Sequence, residues 1–288
     1  MRSPIADCKP PAPMAFRSDL TYGWHRPNTT RSNQPGRTNA MTICVAKGDG
    51  LVKITVDALN ALTHANAFEV ADGAGSATHA VLTPKTPPPS AYAHNACFGL
   101  AYRMMINPSV CTIETSPGLN LGTVAVDDPN AQDELGGATT QAADSKGAGN
   151  PAHFGSSQSW GEYLTFKEDK SGKGSGAKIV WNPYAASTLN WVGGKSKREH
   201  VPACIVLAHE LSHADRMMRG TSLVGVVGKV APPAYSAKVP GTDYESMVDI
   251  EHIEMVGFTS ASWQCKDADV ISENQMRREH GIPLRVNY

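Results

Sequence analysis

The stretch CIVLAHELSHADRMMRG, Cys204–Gly220, carries three residues whose types and spacing suit metal chemistry: His209, Glu210 and His213, an HExxH pattern. Residues i and i+4 of a helix share one face, so both imidazoles reach one cation. Glu210 lies one residue further round. It reaches a water beside the ion rather than the ion itself. Zinc lowers the pKa of such a water to about 7, so a carboxylate suffices as general base near neutral pH. Leu207, Leu211 and Met218 fall on the opposite side of the helix, where they anchor it to a core.

A catalytic zinc takes three protein ligands and keeps one position open. HELSHADRMMRG lacks the HExxHxxGxxH extension, so the third ligand must come from elsewhere. The segment YESMVDIEHIEMVG offers Glu245, Asp249, Glu251, His252 and Glu254. Glu251 lies between Met247 and Met255 on a helical wheel. A carboxylate bordering an apolar face needs a partner, and zinc would be one. His252, bordering Val248 and Val256, is the rival, and a solvated acidic face accounts for some of the five. Tyr244, Tyr288, Arg277 and Arg285 are the candidates for stabilising an oxyanion. The other histidines show no metal spacing and read as surface or loop residues. AKIVWNPY, just upstream, reads either as an edge strand that could pair with an extended substrate or as an interior strand.

Elements must position these groups. The helix is expected over residues 202–219, with Pro202 in its first turn and Gly220 as its C-cap. A second helix is expected from a Thr242/Glu245 capping box to about Val256, closed by Gly257. A third follows a Ser272/Gln275 capping box and ends at His280 and Gly281. CFGLAYRMMIN (97–107) has helical spacing. LVKITVDA (51–58), CTIET, LGTVAV, EYLTF and AKIVWNPY read as strands, the last two as a long-looped hairpin. ALNALTHANAFEV reads as a short helix. Residues 81–93 read as a Pro-rich connector and 127–159 as a Gly-rich linker or loop.

The chain of 288 residues has a net charge of −1 and no Lys/Arg block, so neither nucleic acid nor an anionic membrane is an expected partner. Its apolar content of 41% supports a real core. No run approaches a membrane span, and the N-terminus lacks the apolar centre of a signal peptide. The six cysteines form no CxxC pair and read as free thiols. Residues 1–42, rich in Pro, Ser, Thr and Asn, read as a flexible leader.

LAHELSHADRMMRG, EHIEMVGF and ISENQMRREHGIPLRVNY occur in order after GSGAKIVWNPY. Over residues 174–288 the chain thereby resembles the NleD-type zinc metalloproteases, type III secreted effectors of bacterial pathogens. The resemblance implies a zincin endopeptidase acting in the host cell cytoplasm, with mitogen-activated protein kinases as the substrate class. It implies His209 and His213 as ligands, Glu210 as catalytic base and Glu251 as third ligand. Where the family commonly has an acidic pair, this chain has Glu251 followed by His252. The ENxxRxxxGxPLR element matches Glu273, Asn274, Arg277, Gly281, Pro283, Leu284 and Arg285 and is expected to shape the cleft. Tyr288 becomes the candidate transition-state stabiliser.

The expected architecture is therefore α+β, zincin-like, with a small mixed sheet and an HExxH helix. A leader (1–42) precedes one metalloprotease domain (43–288). One Zn2+ per chain, a host protein substrate and a monomeric state complete the expectation. A metal-dependent hydrolase of another substrate and a structural-zinc binding module are the alternatives.

Overall fold

The computed structural model describes residues 43–48, 50–63, 67–85, 95–115, 138–142, 174–184, 187–192, 195–222, 227–229, 247–257 and 269–285. The expected leader, the LGTVAV and EYLTF strands, the Thr242/Glu245 cap, Tyr244 and Tyr288 lie outside these residues.

The fold is mixed α+β around a small mixed sheet. Six strands run in the order β2-β3-β1-β4-β6-β5. They are β1 (Ile43–Ala46), β2 (Phe68–Gly75), β3 (His79–Pro84), β4 (Cys111–Thr115), β5 (Ala138–Ala142) and β6 (Ala177–Trp181). β4 pairs parallel with both β1 and β6, whereas β1–β3, β2–β3 and β5–β6 are antiparallel. Two short antiparallel ribbons accompany the sheet. One joins β7 (Ser187–Val192) to β8 (Lys195–His200), the other β9 (Val227–Lys229) to β10 (Met247–Asp249).

The strand period of two sorts side chains onto two faces. Ile43, Cys111 and Ala177 stand in register, as do Val45, Ile113 and Ile179, and all are buried. Lys178, one position away on the other face, pairs with Glu114 near solvent at 2.8 Å. The buried face joins one core with the helices α1 (Leu51–Leu62), α2 (Ala96–Met105) and α3 (Ala203–Arg219). That single core runs from Ile43 to Met276.

Residues 51–58 form most of α1 rather than the expected strand. Thr55, Ala58, Leu59 and Leu62 fall on one helical face and are buried. That burial outweighs the strand preference of the β-branched residues. The helix expected after it divides accordingly: its first residues continue α1, and 68–75 form β2. Residues 81–84 complete β3 before the Pro-rich run.

β6 is an interior strand, flanked by β4 and β5. Its neighbour β5, within the expected Gly-rich linker, is one of the two edge strands among the described residues. Residues 247–249 pair with β9, so within the described residues the helix expected from residue 242 begins only at α4 (Ile250–Val256). Gly257 closes α4 at φ +85°, and α5 (Glu273–Glu279) follows the Ser272/Gln275 capping box. His280, expected near the surface, is buried, and its Nε2 lies 2.7 Å from the Leu62 carbonyl. Cys44, Cys97 and Cys111 are free thiols. Cys204 is disulfide-bonded, which corrects the all-thiol expectation; its partner lies outside the described residues.

Candidate metal centre

α3 is buried nearly throughout. Only Glu210, His213 and the terminal Arg219 keep partial exposure, so the helix meets solvent along the HExxH edge. Gly220, at φ +78°, ends it in the left-handed conformation that glycine adopts without cost, and Arg216 and Arg219 occupy its negative end. Ion pairs fix its orientation. Arg103 of α2 grips the buried Asp215 with Nε and Nη2, at 2.9 and 2.5 Å, and Arg219 adds a third contact at 2.9 Å. Ser212 Oγ donates to the Ile271 carbonyl at 2.8 Å, tying α3 to the approach of α5.

The two histidines converge. His209 Nε2 and His213 Nε2 lie 3.2 Å apart. Two nitrogens each about 2.0–2.1 Å from one tetrahedral zinc stand about 3.3 Å from each other. The same spacing accommodates an N–H···N bond when one proton takes the place of an ion. What surrounds the Nδ1 atoms weighs on this choice. His213 Nδ1 lies 2.8 Å from Glu251 Oε1, and His209 Nδ1 lies 2.9 Å from Glu273 Oε2. Both carboxyls are buried, on α4 and α5.

Both carboxylates are held in ionised form. Burial alone would push the Glu251 carboxyl up. The hydrogen bond and charge of His213, the charge of Arg216 and the Ser222 hydroxyl outweigh it and hold Glu251 below the ordinary value. Glu273 is held well below that value: burial is opposed by hydrogen bonding and charge from His209 and by Arg285 and Arg277. An ionised carboxylate only accepts, so a proton on the facing Nδ1 is the one that either carboxylate can bind. The two rings bring their Nε2 atoms together across 3.2 Å. Imidazole nitrogens are of the donor type that zinc takes.

Glu251 stands behind His213, on the Nδ1 side, and not beside the Nε2 pair. Its Oε2 accepts from Ser222 Oγ at 2.8 Å, so both oxygens are engaged. Glu254, also buried, pairs with Arg216 Nη1 at 2.5 Å and docks α4 on α3. Neither residue belongs to a solvated acidic face. Asp249 lies in β10, and Glu245 is outside the described residues. His252 occupies the next position of α4 after Glu251. Among the described residues no cluster of three or more His, Cys, Asp or Glu side chains is arranged to hold a metal.

Arg277 and Arg285 gather on Glu273 rather than at the Nε2 pair. The sequence places Glu273 in an element expected to shape the cleft but gives it no role at His209. Its signal was the first position of a capped helix that opens on a carboxylate, but nothing in the spacing pointed that carboxylate at His209.

A mixed α+β domain with convergent HExxH histidines thus defines the class. The family is definite: the Peptidase M91 model, described as an effector protein family, matches residues 130–288, more than half of the chain. The chain belongs to this NleD-type family and is a peptidase-family effector. No curated protein and no solved structure matches it at a significant level. Among the described residues no helix is long and apolar enough to cross a membrane.

Proposed function

We propose that this chain is a zinc-dependent endopeptidase of zincin-like architecture, with one zinc held by His209 and His213 through Nε2. The observation that carries this reading is the 3.2 Å between the two Nε2 atoms, with a carboxylate behind each ring. When bound, zinc supplies Lewis acidity toward the scissile carbonyl and makes a water acidic near neutral pH.

Glu210, partly exposed between the two histidines in sequence, takes the proton of the attacking water and returns it to the leaving amine. Tyr288 completes the site by donating to the oxyanion. The third ligand comes from α4. Family resemblance favours Glu251, whereas its engagement by His213 and Ser222 favours His252 as the ligand, with Glu251 positioning His213. β5, at the sheet edge and packed on α3, offers an extended peptide main-chain pairing that interior β6 cannot.

By resemblance, the substrate is a host protein met in the host cytoplasm after type III delivery, and mitogen-activated protein kinases are the first to test. Residues 1–42 serve as the leader, and the protein acts as a monomer. The test is incubation of the zinc-loaded protein with folded kinases and with short peptides. Cleavage that o-phenanthroline blocks and zinc restores is expected. Cleavage indifferent to chelation contradicts the mechanism.

A further inference from the structure

The ENxxRxxxGxPLR element builds one fastened unit at the back of His209. Ser272 Oγ accepts from the Gln275 amide at 3.4 Å while the Gln275 side chain accepts from the Ser272 amide at 2.6 Å, fixing where α5 begins. Glu273 follows, with a nearly buried side chain. Arg277 Nε donates to its Oε1 at 2.6 Å, and Arg285 Nη1 approaches Oε2 at 3.4 Å. Arg277 Nη1 donates to the Pro283 carbonyl at 3.0 Å. Asn274 clamps the Arg285 backbone in both directions, at 2.8 and 2.9 Å. At the far end, Glu279 accepts from the Ala96 and Cys97 amides and locks α5 to the start of α2. The free end of this framework is Glu273 Oε2, 2.9 Å from His209 Nδ1.

We propose that Glu273 is the positioning residue of His209, holding its ring proton on Nδ1 so that Nε2 presents a lone pair toward His213. The inference rests on the reading of the histidine pair as a metal site. A neutral imidazole has one proton for two nitrogens, and the partner of one nitrogen decides what the other offers. Nothing in HExxH makes that choice for His209; Glu273 makes it, with Arg277 and Arg285 fixing the carboxylate. The Nδ1–oxygen line is short but not aligned with the N–H direction.

The test measures zinc affinity of the full chain by competition with a chromophoric chelator, for wild type, Glu273→Gln, Glu273→Asp and His209→Ala, with circular dichroism as the check on folding. Nitrogen NMR reports the His209 tautomer in the zinc-free protein. The expected results are affinity about 10–100-fold weaker in Glu273→Gln, partial rescue in Glu273→Asp, and a wild-type His209 ring protonated at Nδ1. Wild-type affinity in folded Glu273→Gln overturns the proposal. So does a wild-type His209 proton found on Nε2 alone, a result that decides the matter even where the variants do not fold. Undiminished zinc binding by His209→Ala instead overturns the metal-site reading itself.

Discussion

His209 and His213 present their Nε2 atoms to each other across 3.2 Å, while buried carboxylates from two other helices stand behind their Nδ1 atoms. The helix alone gives the i, i+4 proximity. The carboxylates stand on the Nδ1 side of each ring and leave the two Nε2 atoms facing each other.

Glu210 acts on the proton of water and not on the metal. Glu210→Gln is therefore expected to lower kcat by about 10²–10⁴-fold while zinc content and folding match wild type. Stopped assays of peptide cleavage with parallel metal analysis check this. A variant that cleaves at the wild-type rate contradicts a base role.

On α4, Glu251→Gln and His252→Ala separate a positioning residue from a ligand. Loss of a positioning carboxylate weakens zinc about 10–100-fold and keeps the ligand set. Loss of a ligand abolishes stoichiometric binding. The account expects the milder effect at Glu251 and the severe one at His252. The reverse order returns Glu251 to the ligand role that the family resemblance implies.

Acid should unfold this protein through its site carboxylates. Burial opposes ionisation of Glu251 and Glu273, yet their histidine and arginine partners hold both below the ordinary value of 4.5. A depressed folded-state pKa contributes stability that is present above the unfolded value and lost as pH falls toward the folded one. Urea unfolding of wild type should weaken as pH drops below 4.5, and Glu273→Gln should flatten that decline. An unchanged slope in the variant assigns acid sensitivity to other groups.

Gly257 couples α4 to α5. It sits at φ +85°, and a Cβ there would lie 2.3 Å from Ser272 Oγ, the cap of α5. Gly257→Ala is expected to destabilise by at least about 1–2 kcal/mol from backbone strain alone. It should also weaken zinc binding by loosening both carboxylate supports. Wild-type stability in this variant rules out the close packing.

How far the sequence discloses this arrangement depends on what each signal encodes. α3 was legible because Pro202, Gly220 and the apolar spacing agree with one another, and the Ser272/Gln275 box likewise announced α5. α1 was not: its β-branched residues spell a strand, and only the tertiary burial of Leu59 and Leu62 settles a helix. β5 lies in a run of small residues without apolar alternation, and its pairing with β6 depends on long-range register. At the site, HExxH named the helix residues. Which edge of each ring Glu251 and Glu273 meet depends on how three helices dock, which no local pattern records.

The central claim is that the Nε2 pair holds a catalytic zinc. Zinc-edge X-ray absorption of the purified full chain, with metal content measured on the same sample, tests it most directly. The account predicts one zinc per chain, histidine scattering that His213→Ala weakens or loses together with the zinc, and one non-protein oxygen. A zinc closed by four protein ligands, or none bound in stoichiometric amount, contradicts it.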